Sequence, residues 1–278
     1  MDVSVIIPYY NAGAYLPEAL QSVAASVNEG GYSYEVIIIN DGSTDTLSID
    51  LLKHLSTQNY IILQQENKGP AAARNAGVKI AKGDNLLFLD SDNKIRKTFI
   101  DKALQILNTG KGDIVYGNPA FFGATTAQRF KTGGFNMESI LIVNHIDMCS
   151  IIRKKVWDDL GGFDEDRRLI AFEDWDFWIR AGAAGYKFCF IDEVLFDYRI
   201  TNNSLLDDKN KPENHQQVVD LLYEKHKALI FKSYRKVAPA YIVYKRDETK
   251  PLRTFFKHIY YKYIRKLFDI HATFKKYD

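Results

Sequence analysis

The sequence predicts an α/β protein: a mostly parallel sheet flanked by helices, followed by a helical C-terminal extension. Three observations carry that expectation. Through residue 89, short runs of β-branched and aliphatic residues alternate with stretches of helical periodicity. The runs are continuously apolar, as expected of strands covered on both faces. Each is followed by a polar turn, and in a right-handed parallel sheet such turns gather at the edge where ligands bind.

Val3 to Ile7 is the first such run, and Pro8 ends it ahead of a loop at Tyr9-Tyr10-Asn11. Leu16, Leu20 and Val23 recur at helical spacing, with Pro17 tolerated in the first turn and Gly30-Gly31 closing the unit. The pattern repeats. Glu35 to Ile39 is a strand, Asn40 to Asp45 a turn, and Ile49, Leu52 and Leu55 mark a helix. A third strand at Ile61 to Leu63 leads into a small-residue helix, Ala71 to Ala81, suited to close packing on a sheet, with Gly83 expected at its C′ position. The fourth strand is Asn85 to Leu89.

Beyond it the sequence predicts a helix over Phe99 to Leu107, a strand at Ile114 to Tyr116, and a loop or hairpin from Asn118 to Asn136. A short strand and helix occupy Ile151 to Leu160, and a further helix starts at Glu173 and is capped by Gly185. Two separate strands, Lys187 to Ile191 and Val194 to Tyr198, precede a mostly helical remainder.

With 278 residues, 46% hydrophobic and 26% charged, the chain can bury a large core. A net charge of +2 makes no electrostatic case for nucleic acid as a partner. Cys149 and Cys189 lack metal-ligand spacing, so neither zinc nor a disulfide framework is expected and a reducing compartment fits. There is no basic leader and no apolar run of spanning length; the expected location is the cytoplasm, at most peripheral at the inner face of a membrane.

The chemistry gathers at Leu86-Leu87-Phe88-Leu89-Asp90-Ser91-Asp92, where a buried-type strand runs into two carboxylates. Burying a carboxylate without a partner is costly, so this strand end calls for a cation, a bound hydroxyl or solvent. Taken alone, Asp90-Ser91-Asp92 reads first as an ordinary Asp/Asn turn, and only its context argues for a site. Tyr9 to Asn11 and Asp41 also follow strands, so three polar turns should converge on one rim.

At this point the residues resemble a family. Val3 to Asn11, Asn40 to Asp45, Lys68 to Gly77, Leu89 to Asp92, and Gly161 to Asp164 with Glu173-Asp174 resemble family 2 glycosyltransferases of the GT-A fold, over roughly residues 1–205. The resemblance implies a nucleotide-sugar half at about 1–117, an acceptor half at about 118–205 and a helical extension at 206–278. It implies inverting transfer of a sugar from a nucleotide sugar, most often a UDP-sugar, to an acceptor hydroxyl. A saccharide or lipid-linked saccharide in surface polysaccharide or glycoconjugate synthesis would be the acceptor.

The resemblance also implies roles. Pro8, Tyr9, Tyr10, Asn11 and Asp41 would hold the nucleotide, with Tyr9 available to stack on the base. Asp90 would lie near the ribose with Ser91 beside it, and Asp92, with Asp90 alongside, would ligate a divalent Mn2+ or Mg2+. Such an ion offsets charge developing on a diphosphate leaving group. Arg74 is either a donor contact or a surface helix residue.

Asp174 would be the general base, kept ionised near a helix N-terminus, with Glu173 an acceptor-side partner. Acids there also serve as plain helix caps. Trp175 and Trp178 would either floor the acceptor site or pack in the core. Two departures stand out: Asn93 replaces an Asp common in the family, and Thr201 follows Tyr198-Arg199-Ile200 where many relatives carry a metal-binding His.

Two rivals remain, a nucleotidyltransferase and a non-catalytic sugar-nucleotide-binding subunit. The first shares the nucleotide-binding sheet but is opposed by the Glu173-Asp174 helix and by the lack of a Gly-rich basic fingerprint at the first turn; intact Asp90, Asp92 and Asp174 oppose the second. In the tail, Phe256, Tyr260, Tyr263, Leu267 and Phe274 form one helical stripe with Lys257, Lys262 and Arg265 off it. Such a stripe packs on a domain or a second subunit, or lies in an anionic membrane interface.

Overall fold

Strand β1 (Val3–Tyr9) is central, and its residues divide between two cores. The computed structural model describes residues 1–201, 212–249 and 251–260. Val3, Val5, Ile7 and Tyr9 join one apolar cluster with Leu16, Ala19 and Val23 of α1 (Leu16–Gly30). Ile6 faces the other side, which follows from the two-residue period of a strand. Parallel neighbours flank β1: β2 (Tyr34–Asp41), itself paired with β3 (Ile61–Gln65), on one side and β4 (Asn85–Phe88) on the other. Helix α2 (Thr46–Leu55), capped by Asp45 accepting from Ser48 N at 2.8 Å, joins β2 to β3.

Helix α3 (Pro70–Ile80) lies on the opposite face. A Cβ at Gly77 would stand 2.6 Å from Ile39 Cδ1 and 2.9 Å from Ile6 Cγ2, so only glycine lets the helix approach β1 and β2 this closely. Gly83 is not the expected C′ residue: α3 ends in an extended cap at Ala81. Gly83 instead lies against β1, where its N–H donates to Ser4 Oγ at 2.8 Å and a Cβ would meet Ser4 N at 2.5 Å.

The second half of the sheet contains short β5 (Lys94–Ile95), β6 (Ile114–Gly123), β7 (Ile151–Arg153) and β8 (Phe188–Ile200), giving eight strands ordered β3-β2-β1-β4-β7-β6-β8-β5. β7 is antiparallel to both β4 and β6, whereas β6 and β8 run parallel. Sequence reading missed β5 and ended β6 too early. It also divided β8 in two at Asp192-Glu193, which the strand absorbs through register shifts around Asn118. Helix α4 (Phe99–Asn108) covers the first core, α5 (Met137–Ile140) and α6 (Lys154–Leu160) flank β7, and α7 (Glu173–Ala183) packs through Phe177 onto Phe163 and thence Phe88.

The chain divides into two compact units, Met1–Glu224 and Lys225–Asp278. Helix α8 (Pro212–Glu248) carries Pro239 internally, and α9 (Pro251–Ile259) follows. Phe256 and Tyr260 are exposed; Tyr263, Leu267 and Phe274 of the expected stripe lie outside the described residues. Among the described residues, no helix is long and apolar enough to cross a membrane.

Candidate active site

The carboxyl ends of β1, β2 and β4 open onto a cleft of about 1300 Å³. Pro8 to Asn11, Asp41, Arg74 and Asp90 to Asn93 line it together with Glu173, Asp174 and Trp175. The convergence expected from the strand–turn pattern therefore exists. The individual side chains differ from expectation in instructive ways.

Tyr9 does not offer its ring to a ligand. As the last inward residue of β1 it is 1% exposed and its hydroxyl donates to Ser48 O at 3.3 Å, while Tyr10 is the exposed neighbour. Asn11, in the left-handed region at φ 50°, accepts from Thr44 N at 2.8 Å and so ties the β1 turn to the β2 turn. Asp41 accepts from Lys68 N and Gly69 N at 2.8 Å and from Gln65 Nε2 at 2.7 Å. These contacts fix the loop entering α3.

Arg74 is not a surface residue. It is 4% exposed, and its guanidinium donates at 2.6 Å to both Asp90 Oδ1 and Glu173 Oε1, joining the end of β4 to the start of α7. Burial alone would lower its pKa, but Asp90 and Glu173 raise it, so the cation is secure. Arg74 Nε and Glu173 Oε2 are buried without partners.

Around this bridge the acids crowd. Burial, then Asp90, pushes the Asp92 carboxyl up to about 6. Burial and Asp90 likewise push Asp147, a cleft residue that sequence reading missed, up to about 7. Burial, Glu173 and Asp147 hold Asp174 well above the usual carboxylate range, which corrects the expectation that a helix N-terminus keeps it ionised. Desolvation and the like charges of Glu173 and Asp147 outweigh the dipole.

Asn93 is buried and accepts from Arg199 N at 2.8 Å, while Arg199 Nε donates to Asp92 O at 3.0 Å. An acceptor is needed there, so the departure from Asp costs the turn nothing. Arg199 itself stacks on Phe122 at 4.3 Å and pairs with Glu18 at 2.9 Å. Thr201 lines the cleft, as does His215, whose buried Nδ1 has no partner. The sequence signal for Asp147 was slight: an acid shortly before an apolar strand. None marked Arg199 or His215 as site residues.

Trp175 and Trp178 are 2% and 0% exposed, and their indole N–H groups donate to Ile140 O and to Ile146 O, the latter at 3.1 Å. Trp175 thus bonds the C-terminal end of α5 while it lines the cleft, and Trp178 packs in the core. Asp176 is buried against Arg180 at 2.7 Å and is structural.

The Asp90–Asp92 pair suits a cation chemically, since burial and mutual repulsion leave negative charge there that a hard divalent ion would offset. No group of three or more His, Cys, Asp or Glu side chains forms a metal cage among the described residues. An ion here would complete its shell with ligand oxygens and water.

The family model for glycosyl transferase family 2 matches residues 4–168. The chain belongs to that family. It is a glycosyltransferase with the GT-A fold. It is 27% identical to glycosyltransferase GlyG of Streptococcus pneumoniae over 73% of this chain and 72% of that protein. With the amylovoran biosynthesis glycosyltransferase AmsB of Erwinia amylovora the identity is 28%, over 72% and 70%. With an uncharacterized glycosyltransferase of Haemophilus influenzae it is 36%, but over 43% of this chain and 47% of that one.

Among solved structures, S. aureus TarS 1-349 in complex with UDP-GlcNAc superposes with a TM-score of 0.65 at 20% identity, over 84% of this chain and 72% of that one. Its complex with UDP gives 0.63 at 23% identity, over 80% and 64%. In that second superposition the chain spans somewhat under two thirds of the TarS chain. The likeness to TarS is one of fold.

Proposed function

We propose that this glycosyltransferase moves a sugar from a nucleotide sugar, with UDP as the expected nucleotide, onto an acceptor hydroxyl with inversion at the anomeric carbon. A saccharide or lipid-linked saccharide in surface polysaccharide or glycoconjugate assembly is the acceptor. One observation carries the reading: Arg74 ties Asp90, on the wall formed by the β1, β2 and β4 turns, to Glu173, beside Asp174 on the opposite wall. Donor chemistry and proton acceptance are thereby coupled in one cleft. That TarS has been crystallised with UDP and UDP-GlcNAc supports a nucleotide-sugar donor here.

In this mechanism Asp41 and the Pro8 to Asn11 loop hold the nucleotide, and Asp90 with Ser91 lies beside its ribose. Asp92, with Asp90, would hold a divalent ion, Mn2+ or Mg2+, which supplies charge neutralisation to the departing diphosphate. Asp174 takes the proton of the acceptor hydroxyl as that oxygen attacks the face opposite the leaving group. Only the ionised carboxylate can accept that proton, so transfer should rise with pH as Asp174, held above the usual carboxylate range by burial, Glu173 and Asp147, gives up its own. Glu173, held by Arg74, orients the acceptor side.

A thermal-shift screen over nucleotide sugars, with Mn2+ or Mg2+ and with chelator, tests the reading. A ligand at a hundred times its Kd stabilises by about 2.7 kcal/mol. A UDP-sugar should raise Tm more with metal than without, and Asp92→Ala should remove the metal increment. Equal stabilisation with chelator would sink the shared ion; no sugar transfer or donor hydrolysis by the stabilised protein would sink the enzymatic reading.

A further inference from the structure

Asp147 lies between the two working ends of the cleft, and the backbone explains how. Strand β7 runs antiparallel to β4 with Ile151 opposite Leu87, and Phe88 N donates to Ser150 O at 3.3 Å. The residues before Ser150 therefore run back alongside the carboxyl end of β4, where Asp90 and Asp92 begin. From the other side, Trp178 of α7 holds Ile146 O at 3.1 Å. The residue after Ile146 is thus clamped between the strand that carries the acid pair and the helix that carries Asp174.

The Asp147 side chain is itself oriented. Its Oδ1 accepts from Cys149 N at 2.8 Å, and Asp147 lines the cleft. No described residue donates to Oδ2. The Asp147 carboxyl is close enough to feel the charges of Asp90, Arg74 and Asp92 on the one side, and Asp174 feels its charge on the other. An unbonded carboxylate oxygen on the wall of a ligand cleft suits a polar ligand that supplies the missing hydrogen bond.

We propose that Asp147 binds the hydroxyls of the transferred sugar, and that this carboxylate restricts the donor to uncharged hexosyl groups, excluding hexuronates. The inference rests on the nucleotide-sugar reading above. In it the sugar ring must lie between a diphosphate at Asp90 and Asp92 and an acceptor at Asp174, which is where Asp147 stands. A sugar hydroxyl donates to a carboxylate in a charge-assisted bond. Above its raised value of about 7 Asp147 is ionised, and a uronate carboxylate set against it then gains no such bond and is repelled.

Calorimetric titration at pH 8, where Asp147 is ionised, separates the possibilities, using UDP, UDP-glucose, UDP-galactose, UDP-N-acetylglucosamine and UDP-glucuronate with Mn2+, and the GDP and dTDP sugars in parallel. Wild type should bind a neutral UDP-hexose at least tenfold more tightly than UDP-glucuronate. Asp147→Ala should weaken the neutral UDP-hexose about tenfold to a hundredfold while leaving UDP within twofold, a split that a merely structural role would not give. Asp147→Asn keeps an acceptor for Cys149 N–H, so it should fold and should narrow the discrimination against UDP-glucuronate. If Asp147→Ala weakens UDP as much as the UDP-hexose, or wild type accepts UDP-glucuronate equally well, the inference is overturned while the donor reading stands. Absence of binding by every nucleotide sugar overturns both.

Discussion

Asp174 faces the cleft from the first turn of α7 with a carboxyl raised by burial, Glu173 and Asp147. Replacing it by Asn preserves shape and removes the proton acceptor. Transfer should fall about a hundredfold to ten-thousandfold with donor affinity nearly unchanged, whereas loss of a mere helix cap would cost about 1 kcal/mol of stability and leave chemistry intact. Transfer within a few-fold of wild type would mean another base, and Glu173 is then next, since Asp176 is committed to Arg180. Asp92 supports a second prediction. Its carboxyl is protonated without penalty below its unfolded value of about 3.9 and costs stability as pH rises through its folded value of about 6. Without added metal, Asp92→Asn should therefore raise Tm at pH 8, by about 1–3 kcal/mol in stability, and change it little near pH 4. An equal change at both pH values would show that the Asp92 charge is not strained.

At the scale of elements, α7 is more than a support for the base. Its tryptophans bond Ile140 O and Ile146 O in the segment that leads to Asp147, and Arg74 of α3 bonds Glu173, so the groups proposed for donor, sugar and proton transfer are tied to one set of bonded elements. The C-terminal helices present a different surface. On α8, Phe231, Tyr234, Tyr241 and Ile242 fall on one face and are exposed, and Leu252, Phe255 and Phe256 on α9 are exposed as well. Lys232, Arg235, Lys236 and Lys245 accompany the α8 residues in sequence, and Arg253 lies on α9. Aromatic and basic residues together suit an anionic lipid surface. The full chain should float with anionic vesicles at low salt and detach at high salt. A chain that stays off vesicles and sediments as an oligomer would assign the face to a subunit contact instead.

For the whole molecule, the first unit, Met1–Glu224, contains the entire sheet and every cleft residue named above. A chain ending at Glu224 should remain cooperatively folded and keep its nucleotide-sugar affinity within twofold, while losing any vesicle binding. Circular dichroism melting and calorimetry check this. Loss of donor affinity in a folded truncation would make the C-terminal unit part of donor recognition.

While Asp174 was singled out as the candidate base only through the resemblance, the sequence by itself determined the parallel strands β1 to β4, the polar turns at one rim and the acid pair. These rest on local chemistry: continuous apolar runs, turn-forming Asn, Asp and Gly, and acids at a strand end keep their meaning without knowledge of distant neighbours. The resemblance then fixed the fold, and the family match agrees with it. Only tertiary structure decided the rest. Arg74 meets Asp90 and Glu173 across 16 and 99 residues of sequence, and no local pattern distinguishes such an arginine from one on a solvent-facing helix. Tyr9 was misread because the parity of β1, set by which face α1 covers, turns it inward. β8 was divided because two acids interrupt its apolar pattern, although pairing with β6 carries the strand through them. Asp147 became visible when β7 reversed direction beside β4, and the protonation of Asp92, Asp147 and Asp174 depends on burial and on charges brought from separate elements. Sequence lists the groups; desolvation and mutual distance, which only the packed chain sets, determine what they do.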